Sequence, residues 1–426
     1  MIKRRRFLNF ISAVFLLMGF SCLSSCSSED PVIDNSEDIK DQEEIVATAY
    51  EPLSLSPAQA KTSKAMEEFA SKYLLTAIET EKNVDGNVIV SPIGLDMILT
   101  MLSNGMDESA INELCRVLGV NEGDLNSLYT LLKQKFAVAD NQVEFSLANS
   151  LWVNNGVNIN ESFSNLLKDS FDAETYCRAL ATDKTKTEIN QWCSLKTNGM
   201  IPNFLESNLD PNTFLFIVNA LYFNGKWSKP FDKANTKDAT FTSLSGKPQQ
   251  VKMMNSTTNV YYSELNDGGE IISIPYGNGS FLLNIYLPAE GEDLQNSLSK
   301  NIQFLSKGAF NTKCELSIPK FTLAYKNEKI LEVIGKLGLK SIMSEGHLDN
   351  IYEKARIDYI QQSTALALSE EGAVAAAVTG GGVLSSNIGE EEPQIKKIVI
   401  DRPFAFSITE KEYDITLLSG IIKSME

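Results

Sequence analysis

The chain is 426 residues long, 43% hydrophobic and 22% charged, with 55 acidic against 38 basic residues and a formal net charge of −17. That composition supports a folded core and excludes both a disordered chain and one that crosses a membrane many times. A single histidine, His347, leaves any Ser-His-Asp, Cys-His or multi-histidine zinc site dependent on one residue. The acidic balance, with no dense basic stretch beyond the first ten residues, argues against nucleic acid as a partner.

Lys3, Arg4, Arg5 and Arg6 precede an apolar run over residues 7–20, short for a membrane span and suited to the core of a signal peptide. The run leads to Leu23-Ser24-Ser25-Cys26, an aliphatic residue, two small residues and a cysteine, which resembles the processing box of bacterial lipoproteins. On that likeness residues 1–25 are removed and Cys26 becomes a lipidated N-terminus, so that acyl chains alone hold the protein to a membrane. An ordinary signal peptide cut at small residues is the competing expectation. Cleavage before Cys26 takes away four basic residues and no acid, which moves the net charge from −17 to −21. Residues 26–56 carry many acids and little apolar periodicity and read as a solvated tether. Acids directly after a lipidated cysteine resemble a surface-export signal of some Gram-negative lipoproteins. The expected location is therefore the outer membrane, with display on the outer surface.

From residue 57 to residue 426 no low-complexity linker and no repeat interrupts the chain before the glycines at 380–382, which predicts one domain. Helical spacing of apolar residues predicts helices over 60–80, 92–102 and 107–118, the last closed by Gly119, so the N-terminal third is mainly helical. Strands are predicted over 145–153, 214–223, 271–275, 281–288, 314–323 and 398–406, bounded by Gly, Pro and Asn, with a helical stretch over 184–199. Strands dispersed among helices without regular alternation indicate an α+β fold. Cys115, Cys177, Cys193 and Cys314 lack a CxxC pair and neighbouring histidines, so no metal site is expected. In an oxidising compartment Cys177 and Cys193 could bridge, though isolated thiols are the favoured state.

The segment most unlike the rest is 369–393, SEEGAVAAAVTGGGVLSSNIGEEEP. It carries no charge between Glu371 and Glu390. Read as a strand, its alternate residues Ala373, Ala375, Ala377, Thr379, Gly381, Val383 and Ser385 are all small or apolar, so that face could slide under a helix or between two strands. A flexible linker is the other reading.

Glu370-Glu371-Gly372-Ala373-Val374-Ala375-Ala376-Ala377 resembles the proximal hinge of the serpin family. Four more motifs stand in the family's order. Asn87-Val-Ile-Val-Ser91-Pro92 is similar to the segment opening helix B, and Thr197-Asn198-Gly199 to the end of helix F. Val218-Asn219-Ala-Leu-Tyr-Phe-Asn-Gly225-Lys226-Trp227 resembles the third strand of the main sheet, and Asp401-Arg402-Pro403-Phe404 the strand after the reactive loop. The likeness spans roughly residues 60–426. It implies helices packed around a large central sheet, two smaller sheets, and an exposed reactive-centre loop that begins at a hinge running on through Val378 and Thr379.

The resemblance also implies site residues. Ser91 and Asn219 match a polar cluster beneath the sheet, the shutter, and Gln362 stands where the family has a histidine. An amide donates and accepts like a neutral imidazole but does not titrate near neutral pH, which predicts a satisfied shutter less sensitive to pH. At the breach, Trp227 matches the family's tryptophan and Lys320 is expected to pair with Glu370. The family spacing places the scissile bond between Ser386 and Asn387. A distal side some five or six residues longer than usual leaves Val383, Leu384, Ser385, Glu390, Glu391 and Glu392 as alternatives. The implied function is trapping of a target protease without any catalytic residue or cofactor of the protein's own, by a chain expected to be monomeric. Small and apolar residues at the candidate bond suit elastase-like, subtilisin-like or papain-like proteases. The absence of Lys or Arg between Arg356 and Lys396 disfavours trypsin-like ones. The competing class is a non-inhibitory serpin acting as carrier, chaperone or surface interaction protein, since Val378 is bulky and Gly380–Gly382 are costly to order. His347 reads as a loop residue, and Ser297-Leu-Ser-Lys300 as a chance Ser-x-x-Lys.

Overall fold

A computed structural model of the chain describes residues 48–300, 307–372 and 395–425, which lie in one compact unit spanning Val46–Glu426. The first part is helical, as expected. Helix α1 (Pro57–Thr80) opens on Ser56, whose hydroxyl accepts from Gln59 N while the Gln59 side chain answers the Ser56 N–H. Strand β1 (Val88–Val90) leads into α2 (Pro92–Ser103), where Ser91 caps and Pro92 fills a first-turn position that needs no N–H. Helix α3 (Glu108–Leu118) is capped by Asp107 and closed by Gly119 at φ +72°. Then follow α4 (Asp124–Phe136), β2 (Val143–Asn154), α5 (Glu161–Phe171), β3 (Glu174–Arg178), α6 (Asp183–Lys196) and β4 (Leu215–Gly225). The remainder comprises β5 (Lys237–Thr242), β6 (Pro248–Glu264), β7 (Glu270–Tyr276), β8 (Phe281–Leu287), α7 (Leu294–Lys300), β9 (Phe310–Asn327), α8 (Ile330–Leu337), β10 (Tyr359–Leu368), β11 (Lys396–Val399), β12 (Phe404–Glu410) and β13 (Thr416–Ile422).

The expected strand over 398–406 is two. β11 ends at Val399, where Ile400 N makes the last bond of the parallel ladder with β9 to Ser317 O, and β12 begins at Phe404 after Pro403, which has no N–H for a ladder. The expected three sheets are joined. Among the described residues the strands follow one hydrogen-bonded path, β1-β13-β12-β8-β7-β6-β9-β10-β4-β2-β3, with β5 beside β6 and β11 beside β9. Continuity comes from β6 and β9, 17 and 18 residues long, each of which pairs in one leaf with its first half and in another with its second.

The central leaf is β3-β2-β4-β10 with the second half of β9. Its middle strands β4 and β10 are buried on both faces. Along β4, Leu215, Ile217 and Leu221 point into the main core with Phe69, Tyr73, Leu99 and Leu418, while Phe216, Val218 and Ala220 join Trp152, Ile189, Trp192 and Phe204 beneath α6. Such a strand shows a continuous apolar run.

His347 is structural: its Nδ1 lies 2.9 Å from Asp107 Oδ2, and its carbonyl accepts from Asp107 N at 2.9 Å. Asp107 Oδ1 accepts from Ala110 N at 2.8 Å, and that bond, helped by His347, holds the Asp107 carboxyl below its ordinary range. Cys177 is exposed and Cys193 buried, and the four described cysteines are free thiols, so the bridge considered between those two is absent. No helix among the described residues is long and apolar enough to cross a membrane. Replacing Asp107 by Ala removes the helix cap and the His347 contact together and is expected to cost about 1 kcal/mol. Urea unfolding of D107A and H347A checks this, with the smaller loss expected for H347A.

Candidate functional site

The site is built on the seam between β4 and β10. These strands are parallel neighbours paired directly from Tyr359↔Phe216 to Ala365↔Tyr222, with Gln362 opposite Asn219. Below that pair lies a buried polar cluster. Gln362 Oε1 accepts from Ser91 N at 2.6 Å, and its Nε2 donates to Ser91 O at 2.9 Å and Asn219 Oδ1 at 3.0 Å. Ser91 Oγ donates to Leu417 O at 2.8 Å and accepts from Gly94 N at 3.1 Å. Asn219 Nδ2 reaches Asn149 Oδ1 at 2.8 Å, from its register partner on β2. The structure thus brings Ser91, Asn219 and Gln362 together, and the Gln362 amide is satisfied on both atoms without a titrating group. Asn149 Nδ2 is left without a partner. Gly94 is required by space, since a Cβ there would stand 2.3 Å from Asn219 Oδ1.

At the top of β10 the chain turns through Ser369-Glu370-Glu371-Gly372. Ser369 and Gly372 exchange backbone hydrogen bonds at 2.8 and 3.1 Å, and the Ser369 hydroxyl also donates to Gly372 O. Gly372 forms a bridge with Lys226 and has φ +103°. A Cβ on it would lie 2.2 Å from Gly225 O, so conformation and space both demand glycine. Trp227 closes the corner. Its Nε1 donates to Ser369 O at 2.8 Å, its backbone N donates to Glu371 O at 3.0 Å, and its ring stacks on Tyr276 at 4.4 Å.

Glu370 is 5% exposed, with Oε2 2.8 Å from Lys320 Nζ and Oε1 2.9 Å from Thr236 Oγ1. Burial opposes its ionisation, but the Lys320 ammonium, its own backbone N–H and the Thr236 hydroxyl outweigh that and hold the carboxyl below the ordinary range. Glu371 pairs with the exposed Lys233 through Oε1, while its Oε2 is buried without a partner.

Of the residues expected at the breach, Lys320 and Glu370 therefore pair, and Trp227 bonds the backbone on either side of Glu370 within the same turn that carries Glu371 and Gly372 of the hinge. Cys26, Ala373, Val374, Ala375, Ala376, Ala377, Val378, Thr379, Val383, Leu384, Ser385, Ser386, Asn387, Glu390, Glu391 and Glu392 lie outside the described residues. Sequence reasoning missed Asn149, Thr236, Ser369, Tyr276 and Lys233. Only Asn149 left a signal, a polar residue at the middle of a predicted strand. Among the described residues no cluster of His, Cys, Asp or Glu could hold a metal.

A central sheet closed at a parallel seam, with a glycine hinge pinned over it, defines a serpin-type framework. The serpin (serine protease inhibitor) family model matches residues 64–424, and the chain belongs to that family. It is 26% identical over 360 residues to serine protease inhibitor 42Dd of Drosophila melanogaster, covering 82% of this chain and 92% of that one. Among solved structures it is similar to Arabidopsis AtSerpin1 in its native stressed conformation, at TM-score 0.76 and 25% identity over 88% of this chain and all of the other. Human thyroxine-binding globulin, complexed with its ligand, shares the fold at TM-score 0.73 and 22% identity over 86% and 99% of the two chains. The family contains protease inhibitors and such non-inhibitory members.

The folded-state acidity of Glu370 sets a pH dependence. Because its pKa is depressed, its contribution to stability is present above the usual glutamate range and fades as pH falls through the folded value. The Glu370→Gln variant is expected to lose on the order of 1 kcal/mol at neutral pH and to lose less than the native protein between about pH 6 and pH 3. Thermal midpoints across that range measure the difference.

Proposed function

We propose that the protein is an irreversible inhibitor of extracellular endopeptidases that traps its target as an acyl-enzyme by inserting its cleaved loop between β4 and β10. The observation that carries this reading is the direct parallel pairing of those two strands beneath a hinge glycine. A chain leaving Gly372 toward the seam runs antiparallel to both neighbours. One parallel ladder is then exchanged for two antiparallel ones, which are more stable per residue and bury the small side chains of the hinge.

Length explains why a cut is needed. A strand inserted from Ala373 down to the level of Tyr359 lies along the ten residues of β10 and takes about ten residues and about 33 Å. Of the 22 residues between Gly372 and Ile395, about twelve are left, reaching at most roughly 43 Å, short of the roughly 53 Å made up of the inserted strand and the stretch of β9 from Lys320 to Cys314, where β11 begins. Full insertion therefore requires either a broken peptide bond or a detached β11.

The target supplies the chemistry. Its nucleophile adds to the carbonyl of Ser386, the C–N bond to Asn387 breaks with the proton passing to the new amine, and Ser386 is left as an ester or thioester on the protease. Hydrolysis of that bond would complete an ordinary cleavage. Insertion wins the race if it displaces the tethered protease and spoils its oxyanion site first. With no Lys or Arg between Arg356 and Lys396, the targets are elastase-like, subtilisin-like or papain-like proteases, or a glutamate-specific protease if the cut falls after Glu390, Glu391 or Glu392. The protein is taken to act while lipid-anchored through Cys26 at the outer membrane.

Mixing the purified protein with a panel of such proteases is expected to give an SDS-stable complex and to release residues 387–426, a peptide of 40 residues. The cleaved protein is expected to melt at a higher temperature than the intact one. Ala375→Arg, which places a charge on the inserting face, is expected to turn the inhibitor into a substrate. Cleavage without a complex and without a rise in melting temperature overturns the inhibitor reading in favour of a carrier or interaction protein.

A further inference from the structure

Composition groups residues 48–56 with the acidic tether, yet the structure holds them against the body. Thr48 and Asn141 exchange hydrogen bonds, Thr48 N to Asn141 Oδ1 at 3.1 Å and Asn141 N to Thr48 Oγ1 at 3.2 Å, and Asn278 Nδ2 donates to the same Thr48 hydroxyl at 3.3 Å. Tyr50 OH donates to the Glu412 carboxylate, and Lys411 Nζ stands 4.0 Å from the centre of the Tyr50 ring. Leu53 and Leu55 pack on the core, and Leu55 N donates to Tyr413 OH at 3.2 Å before Ser56 starts α1.

These contacts join two parts of the fold that insertion must separate. Asn141 lies at the entry to β2, which is paired to β4, whereas Asn278 belongs to the β7–β8 turn and Lys411, Glu412 and Tyr413 to the β12–β13 turn. A new strand between β4 and β10 moves β2, β3 and β4 away from β10 by one strand spacing, about 4.8 Å. By sheet connectivity the β12–β13 and β7–β8 turns belong to the β10 side, through β9, β6, β7 and β8, although the end of β4 also bonds to the β7–β8 turn through Trp227 and Ser228, bonds that insertion would have to break or stretch. The junction crossed by Thr48 is already knitted by Asp140 Oδ2 accepting from Asn278 N at 2.7 Å, by Lys226 N donating to Gln142 O at 3.0 Å and by Gly277 N donating to Lys226 O at 2.7 Å. Lys226 in turn bridges Gly372. The Thr48 contact is thus one residue and one hydrogen bond removed from the strand end that pairs with the hinge.

We propose that residues 48–56 are a strap that fastens β2 to the β7–β8 and β12–β13 turns in the uncut protein and lets go when the sheet expands, so that it stabilises the native state selectively and slows insertion. This rests on the insertion mechanism proposed above. The chain between anchor and body thereby also sets how readily the trap fires.

The test uses the full chain with Thr48→Ala, Tyr50→Ala and Tyr50→Phe, and Glu51→Ala as a surface control from the same segment. Thermal midpoints are measured on intact and loop-cleaved protein, and the Trp fluorescence change after cleavage gives the insertion rate. Thr48→Ala and Tyr50→Ala are expected to lower the intact midpoint by a few degrees, to leave the cleaved midpoint unchanged and to speed insertion several-fold. Tyr50→Phe, which keeps the ring under Lys411, is expected to fall between them and the control. Equal shifts in intact and cleaved forms, or no shift in either, overturn the strap while leaving the inhibitor reading standing. A wild type whose midpoint does not rise on cleavage overturns the inhibitor reading and the strap with it.

Discussion

The whole arrangement depends on β4 and β10 being hydrogen-bonded to each other as parallel strands. That pairing places Gln362 opposite Asn219 and brings both over the N-terminus of α2, and β10 runs on past its last pair at Ala365 to the turn where Glu370 and Gly372 are held. A parallel pair in the middle of an otherwise mostly antiparallel leaf is the weaker way to use those two edges. The described residues around the seam stabilise it as it stands: a cluster of amides below, and an ion pair and a stacked tryptophan above.

The two ends of the seam are held by different physics. The lower cluster is neutral, and its strength comes from complementary amide geometry, Gln362 using one acceptor and two donor contacts in a volume that tolerates no Cβ at Gly94. The upper end is charged, with Glu370 held ionised by Lys320 despite its burial. Acid and salt therefore act on the top of the seam and leave the bottom unaltered, since the position that would carry a titrating imidazole is an amide here.

Much of this was legible in the sequence and some was not, for identifiable reasons. Helices α1, α2 and α3 could be read because caps at Ser91 and Asp107 and the closing Gly119 agree with their apolar spacing. β4 could be read because burial on both faces makes it apolar apart from Asn219 and Asn224. β10 was missed as a strand because its middle, Gln361-Gln362-Ser363-Thr364, is polar although buried, and its reason for being polar lies on other elements. The hinge acids, Trp227 and the Ser91, Asn219 and Gln362 triad were reached through motifs. Thr236 and Tyr276 were not, because each meets the hinge through tertiary packing, from positions that no local pattern marks. The long strands β6 and β9 escaped or were cut short because a strand that leaves one leaf for another changes which face is buried along its length.

That continuity of β9 has a further consequence. Its Lys320 grips Glu370 on one side of the hinge segment, and its Cys314 pairs with Lys396 at the start of β11 on the other. Six residues of one strand therefore space the two anchorages at about 20 Å. The 22 residues between Gly372 and Ile395 have a contour more than three times that, roughly 75 Å. β9 thus fixes both ends of a segment whose contour far exceeds their spacing, and under the inhibitory function proposed above the surplus length is the clearance a protease active site needs to close around one peptide bond.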